Sequence, residues 1–318
     1  MRAVEIQRPG EPPVVVEREP PRAGAGQVLV QVAAAPLTPL DLLCATGRSY
    51  FGRPTVPYVP GVQGVGHVDG AACWFPTTAG MQPGDGSMAS FATVAAEDLV
   101  PLPAGIDLAL LAALGLSAVA AHLALNWRGG LVAGEQVVVL GAGGVVGQAA
   151  VQLALVGGAR RVVAAARSSA AQQRARDAGA HAVVALDTDD VDELTRRLAD
   201  ALQGPADLVL DPLWGVPAAA AAGVLGTGGR LVNLGSSAGE TCPLTSAVLR
   251  SRSLRVLGYT NNELTSAQRA AAVGHVAELV AAGRLHVAHE VLGFEDVPDG
   301  WRRQVAGTVG GRLVLVPS

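Results

Sequence analysis

The stretch from Gln136 to Gly147, QVVVLGAGGVVG, holds the residues best suited to receive a charged ligand. Val137 to Leu140 is a short run of β-branched and aliphatic side chains without alternation, the pattern of a strand buried on both faces. The chain then turns through Gly141, Gly143 and Gly144, and an apolar helix begins with Val145 and Val146. Glycine lets the backbone come close to an anion, and the free amides of a first helical turn point at it. A strict dinucleotide pattern has glycine at position 146, where this chain has Val146; its spacing is Gly141-x-x-Gly144-x-x-Gly147. A second apolar run, Arg161 to Ala166, arrives where a βαβ unit requires it. The pattern predicts a dinucleotide site; the alternative is a purely structural turn.

Charge then bears on which dinucleotide. About 20 residues past such a turn, an enzyme using NAD places Asp or Glu against the ribose diol. Here the second strand ends Ala165-Ala166-Arg167-Ser168, with no carboxylate to repel a 2′-phosphate. Arg167 can grip that phosphate as a fork and Ser168 can donate a hydrogen bond. Arg174, on the next helix, can add to the charge. The predicted cofactor is NADPH; the alternative is an arginine that merely meets solvent. Ligands of such sheets lie off the carboxyl ends of the strands, so Asn233, Leu234 and Gly235 are predicted to line the nicotinamide. Asp211, ending the preceding strand, is as suited to capping the following helix as to touching a ligand.

The elements that must position these groups can be read from the rest of the chain. Its 318 residues are enough for two domains and an ample core, and 50% hydrophobic with 16% charged residues is the composition of a globular enzyme. A net charge of −4 with no basic run argues against nucleic acid or an anionic membrane as partner. Every cation is arginine, which excludes a lysine Schiff base or a lysine phosphate clamp. The start, MRAVEIQRPG, has no hydrophobic segment of the signal-peptide kind, and three scattered cysteines imply a reducing, cytoplasmic setting. The uncharged stretch Leu108 to Trp127 is long enough to span a bilayer. It reads instead as two buried helices, the second capped by Ser117.

Residues 1 to 100 are rich in Pro and Gly with short β-like runs: AVEIQ, PVVVE, QVLVQVAAA, ACWFP and SFATV. From Ser117 onward, strand-like runs (QVVVL, RRVVAAA, HAVVAL, DLVLD, GRLVNLG, SLRVLGY) alternate with alanine-rich helices. This predicts an α/β fold with a doubly wound parallel sheet of the 3-2-1-4-5-6 type. An amphipathic helix, Ser266 to Ala282, carries Val273, Val276 and Val280 on one face, and the tail returns to β structure.

Together these segments resemble a medium-chain dehydrogenase/reductase, and within that superfamily the zinc-independent quinone oxidoreductases. The resemblance rests on MRAVEIQRPGEP, GQVLVQVAAAPLTPLDLLCATGRSY, PYVPGVQGVG, GEQVVVLGAGGVVGQAAVQLALVGGARRVVAAARS and the closing GGRLVLVPS. It implies a Rossmann domain at 117–261 and a discontinuous, β-rich, GroES-like catalytic domain at 1–116 and 262–318. NADPH would lie in a cleft between them. It also implies a homodimer formed by edge strands near Leu254 to Leu257. Tyr50 and Tyr58 fall in the loop region that forms the cleft wall in relatives, where a phenol can stack on a flat acceptor; packing alone is the alternative. Thr38, with Tyr50 and Tyr58 a candidate to act on the acceptor, stands where quinone reductases often carry asparagine; Ala120 replaces a threonine, and the segment after Val68 is shortened. In the zinc-dependent relatives a cysteine takes the place of Thr38, and a His-Glu pair that of Val62 and Gln63. No metal is therefore expected, with His67, Cys44 and Asp69 as the only substitutes. The activity implied is NADPH-dependent reduction of a quinone or other conjugated carbonyl. Alternatives are an enoyl-thioester reductase and a non-catalytic NADPH-binding structural or sensor protein.

Overall fold

The computed structural model describes residues 1–49 and 51–317. β1 (Arg2–Glu5) and β2 (Val14–Glu17) form an antiparallel pair. β3 (Gln27–Leu37) is a long spine that β4 (Gln63–Val68) and β6 (Phe91–Ala95) both join, while β5 (Ala71–Pro76) pairs with β4 and β7 (Val100–Pro101). The short segment after Val68 is a tight hairpin through Asp69-Gly70, with φ of 51° and 81°. Asp-Gly is the pair that a turn with two positive φ values favours. β4 itself carries two glycines that hide it from a strand pattern. A side chain at Gly66 would overlap the Gln31 carbonyl, and one at Gly64 would stand 2.6 Å from Phe75 Cζ.

α1 (Pro39–Thr46) follows β3. Thr38 caps it, Pro39 suits the first turn, and Gly47 ends it at φ 68°. α2 (Leu108–Leu123) is broken at Gly115, with φ 31° and ψ −130°, and runs on into a π-helical turn, Ala124–Arg128. The expected break at Ser117 is thus corrected to Gly115. There the buried Gln63 amide occupies the space a Cβ would need, so only glycine fits. By length and composition Leu108–Arg128 could cross a membrane, yet 61% of its most apolar window is buried within the protein.

The parallel sheet is built from β8 (Gln136–Leu140), β9 (Arg161–Ala166), β10 (Ala182–Ala185), β11 (Ala206–Asp211), β12 (Leu225–Asn233) and β13 (Arg255–Gly258). Its order is β10-β9-β8-β11-β12-β13, all pairs parallel, which is the 3-2-1-4-5-6 winding. The intervening helices are α3 (Val145–Val156), α4 (Ser169–Asp177), α5 (Val191–Ala201), α6 (Gly215–Gly223) and α7 (Ser246–Ser251). Every residue of β8 is buried, as a central strand covered on both faces requires. The sheet is pinned at its amino end by Arg230, whose guanidinium meets Glu135 through two 2.8 Å bonds and also donates to the carbonyls of Gly129, Gly130 and Asp207.

α8 (Ser266–Ala281) opens with a Thr265–Gln268 capping box and buries Val273, Val276 and Val280. β14 (His289–Leu292), α9 (Val297–Val305) and β15 (Arg312–Leu315) complete the chain. β15 lies antiparallel to β3 and parallel to β14, so the last segment closes the first sheet. Two compact units result: Met1–Gly115 with Thr265–Arg284 and Ala288–Ser318, and Leu116–Leu264 with Leu285–Val287.

Candidate nucleotide site

The turn after β8 uses each glycine differently. Gly141 has φ 63° and lies against Pro212 and Leu213, where a Cβ would come within 3.1 Å of each. A Cβ at Gly143 would overlap Ala171 on α4, and one at Gly147 would overlap the Gly141 carbonyl. Gly147 thus makes the close approach of helix to strand that position 146 makes in the strict pattern, which leaves room for Val146. At Gly144 a Cβ would meet only the Gly141 oxygen, at 3.5 Å, so the space above it is open. Gly144 is also the N-cap of α3, and no side chain caps this helix. α4, α5, α7 and α8 have side-chain caps. The first-turn amides from Val145 onward, together with the helix dipole, are therefore available to an anion.

The neighbouring strand end supplies cationic and hydroxyl groups. Arg167 and Ser168 are exposed. Among the described residues no carboxylate pairs with Arg167. Ser168 caps α4, its Oγ accepting from the Ala171 amide at 3.2 Å, and its own proton is left to donate. Arg174, half-buried, donates from Nε to the Gly143 carbonyl at 2.9 Å.

Past the switch point, β11 and β12 end in a rigid pair of loops. Asp211 is fully buried; its Oδ1 accepts from the amides of Leu213 and Trp214, both at 2.9 Å, and its Oδ2 from Asn233 Nδ2 at 2.9 Å. Burial pushes the Asp211 carboxyl up, against these hydrogen bonds. They hold Trp214 at φ 59° and ψ −162°, a conformation costly for any residue but glycine. Asn233 Nδ2 also donates to the Gly235 carbonyl at 2.8 Å, and the Leu234 amide to Asp211 O at 2.9 Å. Asn233, Leu234 and Gly235 thus lie at the carboxyl ends of the strands. Asp211 serves to cap the turn there.

The proposed acceptor-side residues stand otherwise. Tyr50 lies outside the described residues. Thr38 is buried, and its hydroxyl donates to Asp41 Oδ2 at 2.6 Å while accepting from the Asp41 amide. Its only proton is committed, which corrects the expectation that it acts on a substrate. Tyr58 is also corrected: it is 3% exposed and belongs to the core of the first unit, paired through its backbone with Ile6. Its hydroxyl is buried and has no hydrogen-bond partner among the described residues. Burial, with Asp41 and Cys44 adding, pushes the phenol up. A phenol so placed neither stacks on a ligand nor releases a proton.

A family profile described as zinc-binding dehydrogenase matches residues 145–278. Human quinone oxidoreductase is 28% identical over 249 residues, covering 74% of this chain and 73% of that protein. The crystal structure of the quinone oxidoreductase from Thermus thermophilus, also solved with NADPH, superposes with a TM-score of 0.80 at 30% identity, covering 99% of this chain and 100% of that one. The chain belongs to the medium-chain dehydrogenase/reductase superfamily. Within it, the chain is an oxidoreductase of the quinone oxidoreductase-like kind. It is also 30% identical over 245 residues to a mycocerosic acid synthase-like polyketide synthase of Mycolicibacterium smegmatis, covering 70% of this chain and 10% of that protein.

For a medium-chain dehydrogenase/reductase, the positions that hold zinc in metal-dependent members are of interest. Val62 is apolar and buried; Gln63 is buried, and its Oε1 accepts from Trp74 Nε1 at 3.0 Å. Among the described residues no three His, Cys, Asp or Glu side chains come together as a metal set, so Cys44, His67 and Asp69 do not form one. Asp41 was not singled out from the sequence. It is the most heavily bonded carboxylate of the first unit, accepting from the Thr38 amide and hydroxyl and from the amides of Gly61 and Val62. Burial still raises it above the ordinary carboxylate value. The spacing Thr38-x-x-Asp41 is a helix-capping signature and was readable. The bond from Arg174 to Gly143 spans 31 positions and has no local signal.

Proposed function

We propose that this protein is an NADPH-dependent oxidoreductase that passes hydride to a quinone or another conjugated carbonyl without a metal ion. The observation that carries the cofactor assignment is the pairing of an uncapped, glycine-fronted helix α3 with an adjacent strand end that offers Arg167 and Ser168 and no acid. The open space over Gly144 fits a diphosphate, and the exposed arginine fits a 2′-phosphate. The Thermus thermophilus relative was solved in complex with NADPH, which supports the same reading.

When bound, the coenzyme supplies the hydride. The protein's part is to place it. The α3 amides hold the diphosphate, Arg167 and Ser168 the ribose phosphate, and the loops braced by Asp211 and Asn233 the nicotinamide end. A quinone spreads the negative charge it gains over its ring and two oxygens, so no Lewis acid is required at the acceptor. The residues at the metal-site positions, Thr38, Val62 and Gln63, are suited to internal packing and hydrogen bonding. An enoyl-thioester reductase is the second reading, favoured by the likeness to a polyketide synthase segment. We also propose a homodimer formed through β13, the edge strand, where Val256 is 40% exposed; a monomer in analytical ultracentrifugation refutes it.

The test is coenzyme oxidation against a panel of quinones, enones and enoyl thioesters, with NADPH and NADH compared. NADPH is expected to be preferred. Arg167→Asp should weaken its binding by about 2–3 kcal/mol, through a lost charge-assisted contact and added repulsion. Equal wild-type affinity for the two coenzymes defeats the cofactor assignment; turnover of enoyl thioesters alone selects the second reading.

A further inference from the structure

Gly143 is the point at which α4 meets the glycine turn. Its carbonyl accepts two side-chain donors, Gln148 Nε2 at 3.0 Å and Arg174 Nε at 2.9 Å. A carbonyl oxygen has two lone pairs, so both are used. The other side of the same peptide is held as well, the Gly144 amide donating to the Gly141 carbonyl at 3.0 Å. Ala171 packs so closely on Gly143 that a Cβ there would overlap it. Ser168, Ala171 and Arg174 recur every three residues, so one face of α4 carries the cap, the packing contact and the arginine. Arg174 spends only Nε on Gly143. Among the described residues its two terminal nitrogens have no hydrogen-bond partner.

We propose that Arg174 is a positioning residue with two tasks: its Nε fixes the Gly143 carbonyl and so the shape of the diphosphate turn, while its terminal nitrogens add charge for the 2′-phosphate. This rests on the reading of the turn as a coenzyme site. It differs from a simple charge contact in a measurable way. Among the described residues the Arg167 side chain makes no hydrogen bond to the turn, so it is expected to act only on ligands that carry a 2′-phosphate. Arg174 acts on any ligand that places a diphosphate over Gly144. Without the Nε bond the Gly143 carbonyl keeps only Gln148 as its side-chain anchor, and the peptide facing the diphosphate is held less firmly in its orientation.

The experiment is calorimetric titration of the intact protein with NADPH and with ADP-ribose, which has the diphosphate but no 2′-phosphate. Arg167→Ala is expected to weaken NADPH by roughly tenfold or more and to leave ADP-ribose unchanged. Arg174→Ala is expected to weaken ADP-ribose by roughly three- to tenfold, the effect of one lost hydrogen bond, and NADPH by more. Arg174→Gln puts a neutral N–H donor where Nε was. It should restore ADP-ribose binding to within about twofold of wild type while NADPH stays weakened, the loss of a charge contact alone. Thermal melting of each variant separates loss of fold from loss of positioning; if Arg174→Ala does not fold, Arg174→Gln carries the test through its split between the two ligands. Unchanged ADP-ribose binding in Arg174→Ala, or equal weakening of both ligands in Arg174→Gln, overturns the proposal. A wild-type protein that binds neither ligand defeats the coenzyme reading itself.

Discussion

Gly144→Ala separates folding from coenzyme binding. The residue sits at φ −81° and ψ 167°, an extended conformation open to alanine. The added methyl meets nothing nearer than the Gly141 oxygen at 3.5 Å, an ordinary contact. As an N-cap, alanine is poorer than glycine, which costs about 1 kcal/mol. The protein therefore folds, with a modestly lower melting temperature. Binding is hit harder, because the methyl fills the space through which a diphosphate reaches the α3 amides. Moving the phosphate back by the width of a methyl group breaks at least one charge-assisted amide bond, about 1.5–3 kcal/mol. The Kd for NADPH should rise roughly 10- to 150-fold. Titration calorimetry alongside thermal melting reads both quantities. Gly147→Ala is the control with the opposite profile: its methyl overlaps the Gly141 carbonyl and Ala142, so stability falls by about 1–3 kcal/mol. The reasoning fails if Gly144→Ala binds NADPH within twofold of wild type, or if it melts as low as Gly147→Ala.

Arg230→Met leaves Glu135 unpaired and the Gly129, Gly130 and Asp207 carbonyls without their donor, and should cost about 3 kcal/mol in denaturant unfolding. Burial raises the Glu135 carboxyl, but the hydrogen bonds and charge of Arg230 outweigh it and hold the group below its ordinary 4.5. The stability this pair contributes is therefore full above that value and is lost as pH falls through the lower folded value; an equally steep acid limb in Glu135→Gln rules that out. Tyr58→Phe removes a buried hydroxyl with no partner among the described residues, so it should raise stability by about 1 kcal/mol and leave turnover unchanged; a drop in kcat gives the phenol a chemical role after all. Activity should survive exhaustive chelation, since Thr38 and Gln63 are engaged in internal hydrogen bonds; stoichiometric zinc whose removal abolishes turnover refutes this.

Much of the second unit was legible because its signals are local. Its inner strands β8, β9 and β11 are nearly continuous apolar runs closed by glycine or a charge, the pattern of strands covered on both faces, and the edge strands β10 and β13 are shorter and more exposed. Their order then followed from the alternation with helices. The phosphate turn was equally legible, because glycine positions report backbone demands directly. The one ambiguity, Val146, resolves at Gly147, which meets the Gly141 carbonyl one residue later. The first unit was read less well, for the converse reason. β4 is a strand through Gly64 and Gly66 because Phe75 and Gln31 leave no room for side chains, and both are partners across the sheet. Gly115 breaks α2 because of Gln63, fifty-two positions away. Proline-rich surroundings made Tyr58 look like a loop residue, whereas its backbone pairs with Ile6 and carries the ring into the core.

The same contrast bears on where acceptor recognition is to be sought. At the proposed coenzyme site the polar groups are offered outward: uncapped amides on α3, an exposed Arg167 with no carboxylate partner among the described residues, a Ser168 proton. In the first unit, Thr38 is consumed by Asp41, and Gln63 by Trp74. Asp41 in turn is saturated by the amides of Gly61 and Val62, and the Tyr58 hydroxyl is sealed off. A hydrogen-bonding site discriminates strongly because an ill-matched ligand leaves its groups unpaired, whereas an apolar wall separates ligands by only about 1–3 kcal/mol. These groups are already satisfied or sealed within the first unit and offer no such discrimination. On the proposed function, the expected acceptor is a flat, apolar molecule that stabilises its own negative charge, and several of that kind should be turned over in the quinone and enone panel. Turnover of one hydroxyl-bearing substrate to the exclusion of flat quinones would count against that expectation.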